Sequence, residues 1–119
     1  MQLKNIVLVV KNIEISKKFY QEMFGMQIIR DFGENVMFSG GLVLQEQNCW
    51  EDLIDESIQV GNSTEIFFED NDLDEFISKV EKYEPEVKIV KTPRTNSWGK
   101  RTVMLKDPDG HIIEVSCSS

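Results

Sequence analysis

NIVLVVKNIE, residues 5–14, and EIFFEDNDLD, residues 65–74, carry one pattern twice, sixty residues apart. In each, an apolar run of β-branched or aromatic residues leads to a residue able to cap a helix, Asn12 or Asp72. Such runs read as buried strands. Asn or Asp ahead of an apolar-periodic segment accepts the free amides of a first helical turn. Identity between the stretches is slight, so the repeat rests on pattern. It bears on architecture, because one half is too small to bury a sheet face alone.

Beyond Asn12, Ile15, Phe19, Tyr20 and Met23 fall on one helical face, and Gly25 suits the left-handed residue that ends a helix. MQIIRDF (26–32), ENVMF (34–38) and LVLQEQ (42–47) follow as three short strands, broken by Gly33 and by Gly40-Gly41, a two-residue hairpin signal. In the second half, Leu73, Phe76, Ile77 and Val80 mark the buried face of a helix, with Glu75 at capping-box spacing from Asp72. Residues 86–91 read as a strand and 93–99 as a loop. Residues 100–106 and 111–116 read as a hairpin about Asp107-Pro108-Asp109-Gly110. Residues 49–63 are the least regular, with Glu51, Asp52, Asp55 and Glu56 among Trp50, Leu53, Ile54 and Ile58. They read as a loop with one helical turn, either a connector or a pocket rim with Trp50 as its lid.

Both halves, about 1–58 and 59–119, thus run strand, helix, three strands within a single domain. The fold class is α+β: two βαβββ modules forming a curved mixed sheet with a central cleft and the helices outside. The net charge of −8 opposes non-specific binding to nucleic acid, and no polybasic patch suits anionic lipid. No apolar run approaches the roughly 18 residues of a membrane span. The opening apolar run, with no small-residue cleavage site, reads as a strand rather than a leader. Cys49 and Cys117 lack C-x-x-C spacing, which fits reduced thiols and a cytoplasmic location. Cys117 reads as an inert thiol. His111 is the single histidine, so one chain cannot build a site from several imidazoles.

KDPDGHIIEVS, residues 106–116, sets Glu114 among Ile112, Ile113 and Val115. A carboxylate in an apolar strand needs a metal, a cation, a proton or water, because burying it bare costs several kcal/mol or more. His111, three residues earlier, falls on the opposite face by strand alternation.

A βαβββ unit used twice, with F19-Y20-x-x-x-F24-G25-M26, E65-I-F-F-E-D-N-D-L-D74, W98-G99-K-R101 and D107-P-D-G-H-I-I-E114, resembles the vicinal oxygen chelate superfamily. That group includes glyoxalase I, bleomycin-resistance proteins and extradiol dioxygenases, and the last two segments look most like its small bacterial members. The resemblance covers essentially the whole chain. It implies a cleft that, in metal-dependent members, holds a divalent ion through His and Glu of the first and last strands of each half. Carried onto this chain, Asn5 and Glu65 stand at the two histidine positions. Leu44 or Gln45, depending on register, stands at the first carboxylate position, and Glu114 at the last. Glu65 and Glu114 are thus the candidate metal ligands. An oxygen-only set suits weakly bound Mn²⁺ or Mg²⁺ better than Zn²⁺ or Ni²⁺.

The resemblance therefore implies a protein that binds a small organic molecule without a tight metal site, as a cytoplasmic homodimer. The cleft candidates are Asn5, Val7, Gln45, Glu65, Phe67, Trp98, Arg101 and Glu114, with no catalytic residue assigned. Arg101 is the preferred cation between Glu65 and Glu114, and Phe67 either stacks on a planar ligand or is core. The alternatives are a metal-dependent lyase, isomerase or dioxygenase using Glu65 and Glu114, or a module whose acidic segment around Trp50 serves protein contacts.

Overall fold

The computed structural model describes residues 1–61, 63–95 and 97–118; Asn62 and Asn96, in two of the segments read as loops, and Ser119 lie outside them. The chain forms two units, Met1–Val60 and Gly61–Ser119. Each is a βαβββ module.

In the first unit, β1 (Ile6–Val10), α1 (Ile13–Phe24), β2 (Ile28–Asp31), β3 (Asn35–Phe38) and β4 (Leu42–Glu46) give a sheet of order β1-β4-β3-β2. β1 runs parallel to β4, and the other pairs are antiparallel. Asn12 caps α1 as expected, its Oδ1 accepting the amides of Glu14 and Ile15 at 3.1 Å each. Gly25 ends the helix at φ 63°, a left-handed conformation that a Cβ disfavours. Phe19, Tyr20 and Met23 are buried, but Ile15 is 47% exposed, and Ile13 and Ser16 take its place. Ile15 lies about a quarter turn from the centre of that stripe. The Tyr20 and Phe38 rings meet at 6.2 Å, in a core with Val36 and Leu44. The β3–β4 connection is Ser39–Gly41, one residue longer than the two-residue hairpin expected, with Gly40 and Gly41 both at positive φ.

The segment read as irregular opens instead with an eight-residue helix, α2 (Gln47–Ile54), which follows β4 directly. No side chain caps it, so the usual start signal is missing, and Asp55 ends it at φ 55°. Glu51 accepts the amide of Ile58 at 2.6 Å and Gln47 donates to the Ile58 carbonyl at 3.1 Å, tying the returning chain to the helix. Trp50 is half-buried.

In the second unit, β5 (Glu65–Asp70), α3 (Leu73–Lys82), β6 (Ile89–Thr95), β7 (Arg101–Lys106) and β8 (Ile112–Cys117) form a sheet of order β5-β8-β7-β6. β5 and β8 are parallel; the others are antiparallel. Asp72 accepts the Glu75 amide at 3.0 Å. The return arm of a capping box is replaced, since the Asp72 amide donates to Asp70 at 3.1 Å. Leu73, Phe76 and Val80 of α3 are buried, as are Val103, Leu105, Ile113 and Val115 of the sheet. β6 begins later than expected and runs through Pro93. It is an edge strand whose register shifts twice against β7, where the missing proline N–H is tolerated. Among the described residues no helix is long and apolar enough to cross a membrane.

Candidate functional site

The second sheet turns one face to α3; the other, its open face, is exposed along β5 and closes toward Thr102 and Ser116, which are buried. Alternation along β8 puts Ile113 and Val115, both buried, on the helix side, and Ile112, Glu114 and Ser116 on the open side. Pairing carries that face across the sheet. Phe67 lies opposite Glu114 on β5, and Met104 lies opposite it on β7. Glu65 and Glu69 flank Phe67 at alternate positions and are exposed. Phe67 is 45% exposed, so it is not core. Glu65 lies opposite Ile112, which makes Glu65 and Glu114 diagonal neighbours with Cβ atoms roughly 7 Å apart.

Glu114 is held by Thr102. The Thr102 hydroxyl lies 2.9 Å from Glu114 Oε2 and 3.0 Å from the Val115 carbonyl, and its single proton serves both. Arg94 pairs with Thr102 across β6–β7, and its Nη2 lies 3.8 Å from Met104 Sδ. Arg101, the cation expected beside Glu114, is elsewhere. One residue from Thr102, it points to the other face of β7 and binds Asp74 of α3 at 2.7 Å. Trp98 sits between β6 and β7, 80% exposed.

The first sheet supplies the remaining candidates. Val7 and Val9 share a face with Val43 and Gln45 of β4, while Asn5 precedes β1 and is exposed. The observed register corrects the expectation for the first carboxylate position. Val7 pairs with Val43 as Phe67 pairs with Glu114, so under the sixty-residue repeat the counterpart of Glu114 is Val43, neither Leu44 nor Gln45.

That register tests the fit of a divalent metal. A hydrocarbon stands at one carboxylate position and an amide at one histidine position. The two remaining donors, Glu65 and Glu114, are both carboxylates. Neither belongs to a cluster of three or more His, Cys, Asp or Glu side chains among the described residues. The set offers no imidazole or thiolate and does not fit a tight Zn²⁺ or Ni²⁺ site.

The one such cluster is Asp107, Asp109 and His111, whose donor atoms lie within 4.8 Å of one another. Its shape follows from the turn. Asp107 Oδ1 accepts the amides of Asp109 at 2.9 Å and His111 at 2.8 Å, and the backbone closes from the Asp107 amide to the His111 carbonyl at 3.0 Å. His111 is buried, on the side away from Glu114. Thr102, Met104 and Arg94 were not among the sequence candidates. Alternation along RTVMLK places Thr102 and Met104 together, but which face they share with Glu114 follows only from the β7–β8 register.

Residues 3–119 match the glyoxalase-like domain family. No curated protein matches the chain. Among solved structures, a protein of unknown function from Agrobacterium tumefaciens is 32% identical, with a TM-score of 0.83 over 100% of this chain and 95% of that one. A glyoxalase/bleomycin resistance protein/dioxygenase family enzyme from Burkholderia phytofirmans is 17% identical, with a TM-score of 0.83 over the whole of both chains. A lactoylglutathione lyase from Agrobacterium tumefaciens is 20% identical, with a TM-score of 0.74 over 98% of this chain and 93% of that one. The last two are likenesses of fold alone.

Proposed function

We propose a binding role for this chain, which belongs to the glyoxalase-like domain family: it holds a small organic molecule against the open face of the β5-β8-β7-β6 sheet, without a tight metal site. The observation that carries this reading is Phe67, a large aromatic side chain 45% exposed directly across from Glu114. An exposed ring beside a hydrogen-bonded carboxylate offers both area and a directional contact. Glu114 would accept from the ligand, Thr102 would hold Glu114 in place, and Phe67 and Met104 would supply apolar contact. A homodimer in the cytoplasm belongs to the same proposal; sedimentation reads its oligomeric state and cell fractionation its location.

The test is a thermal-shift screen of organic ligands, since a molecule that binds only the folded chain raises its melting temperature. Hits that vanish in Phe67→Ala and Glu114→Gln support the reading. Hits that survive both substitutions move the site off this face.

A second reading, a metal-dependent lyase, isomerase or dioxygenase, is favoured by one observation: Glu65 and Glu114 are diagonal neighbours on the same face. Elemental analysis after incubation with Mn²⁺, Ni²⁺ and Zn²⁺ separates the two. One equivalent retained by the parent and lost by Glu114→Gln supports the metal.

A further inference from the structure

Resting on the binding role above, we propose that the ligand is an organic cation, seated on Phe67. The ring is surrounded on its own face by carboxylates. Glu65 and Glu69 stand two residues before and after it on β5, and Glu114 stands directly across on β8. Along a strand those positions are roughly 7 Å from the ring's own. Among the described residues, none of the three makes an ion pair; the pairs present join Lys17 to Glu14 and Asp31, Lys18 to Glu22, and Arg101 to Asp74.

Lys100 reaches the Ser118 carbonyl at the end of β8, at 3.2 Å, and the other cations of this face lie toward its far edge. Lys106 sits on β7 opposite Ile112, and Lys91 and Arg94 sit on β6. With strands about 4.8 Å apart, β7 is roughly 10 Å from Phe67 and β6 roughly 14 Å. An anionic group placed on Phe67 would meet three carboxylates and the negative face of the ring. A cationic group there is drawn by all four, the ring through its quadrupole. The arrangement also mildly opposes its own ligand-free state: Glu65 and Glu69 each lie diagonal to Glu114, and like charges on one sheet face repel, more so at low ionic strength. Replacing one of the carboxylates should therefore stabilise the ligand-free protein while weakening the ligand, a pairing that a merely structural role would not give.

The probes are benzyltrimethylammonium, neutral benzyl alcohol and anionic phenylacetate, followed by amide chemical shifts at low ionic strength. The cation should shift amides of β5 and β8 and bind about tenfold more tightly than the alcohol. Phe67→Ala and Glu69→Gln should each weaken it several-fold. Glu69→Gln, nearly isosteric at an exposed position, should melt at or above the temperature of the parent. Binding of the alcohol or of phenylacetate at β5 and β8 as tight as that of the cation overturns the cation and leaves the binding role standing. Cation binding unchanged in both variants overturns the seat on Phe67. If no probe shifts β5 or β8, the cation proposal and the binding role on this face both fall.

Discussion

Thr102 and Glu114 are joined diagonally across β7 and β8, hydroxyl to carboxylate at 2.9 Å, although their direct partners in the ladder are Ser116 and Met104. Thr102 is fully buried, so its hydroxyl is committed to Glu114 and the Val115 carbonyl. Thr102→Val keeps the shape and removes the donor. It should cost about 1–2 kcal/mol in denaturant unfolding. Thr102→Ser should restore most of that, which separates the hydroxyl from the packing.

Asp72 caps α3 through a single 3.0 Å bond to the Glu75 amide. Asp72→Ala should cost about 1 kcal/mol, while Asp72→Asn, which keeps an acceptor, should cost less. Chemical denaturation of the three proteins at one pH checks this.

Asp31 lies between two donors, the Gly33 amide at 2.8 Å and Lys17 at 3.0 Å. The Gly33 hydrogen bond and then Lys17 hold its carboxyl below the ordinary value of 3.8. A carboxylate depressed in the folded state contributes stability above its unfolded pKa and loses it as pH falls through the folded one. Asp31→Asn should therefore melt below the parent at neutral pH, and the two melting curves should converge below about pH 4. A gap that widens on acidification would contradict the sign.

Cys49 sits close enough to Glu34 for the carboxylate to push its thiol up, from 9.0 to about 11. Thiolate is the reactive form. Alkylation of Cys49 near pH 8 should therefore run about tenfold slower than that of an ordinary cysteine, the lost thiolate population being offset in part by the greater nucleophilicity of a more basic thiolate. Glu34→Gln should speed it, and mass spectrometry of the two cysteine peptides gives the rate at Cys49 separately from Cys117.

The repeat was legible because Asn12 and Asp72 announce their helices and the strands before them are β-branched or aromatic. α2 was not legible, because Glu46 gives no cap and the strand pattern of LVLQEQ runs into the helix without a break. β6 lies later than the sequence pattern places it, because Pro93 argues against a strand wherever the sheet position is unknown, and only at an edge is that penalty lifted. Within the candidate site, alternation alone places Glu65 and Phe67 on one face of their strand, and Glu114 joins that face only through the β5–β8 register. Arg101 could not be excluded as a partner for Glu114 until the register showed Thr102 in that role and Asp74 holding the arginine. Val43 stayed hidden for the same reason, since a hydrophobic residue carries no sign of the carboxylate position it occupies.

Pro93 and the two register shifts of β6 also govern how this sheet meets other molecules. An unpaired strand edge is a template on which a foreign strand can grow the sheet, the first step toward amyloid-like association. A chain docking on β6 would find no donor at Pro93 and a backbone that breaks step twice along its length. That end of the sheet is thereby blunted against runaway polymerisation. Replacing Pro93 would be the way to discover how much of the protein's resistance to fibril formation depends on it.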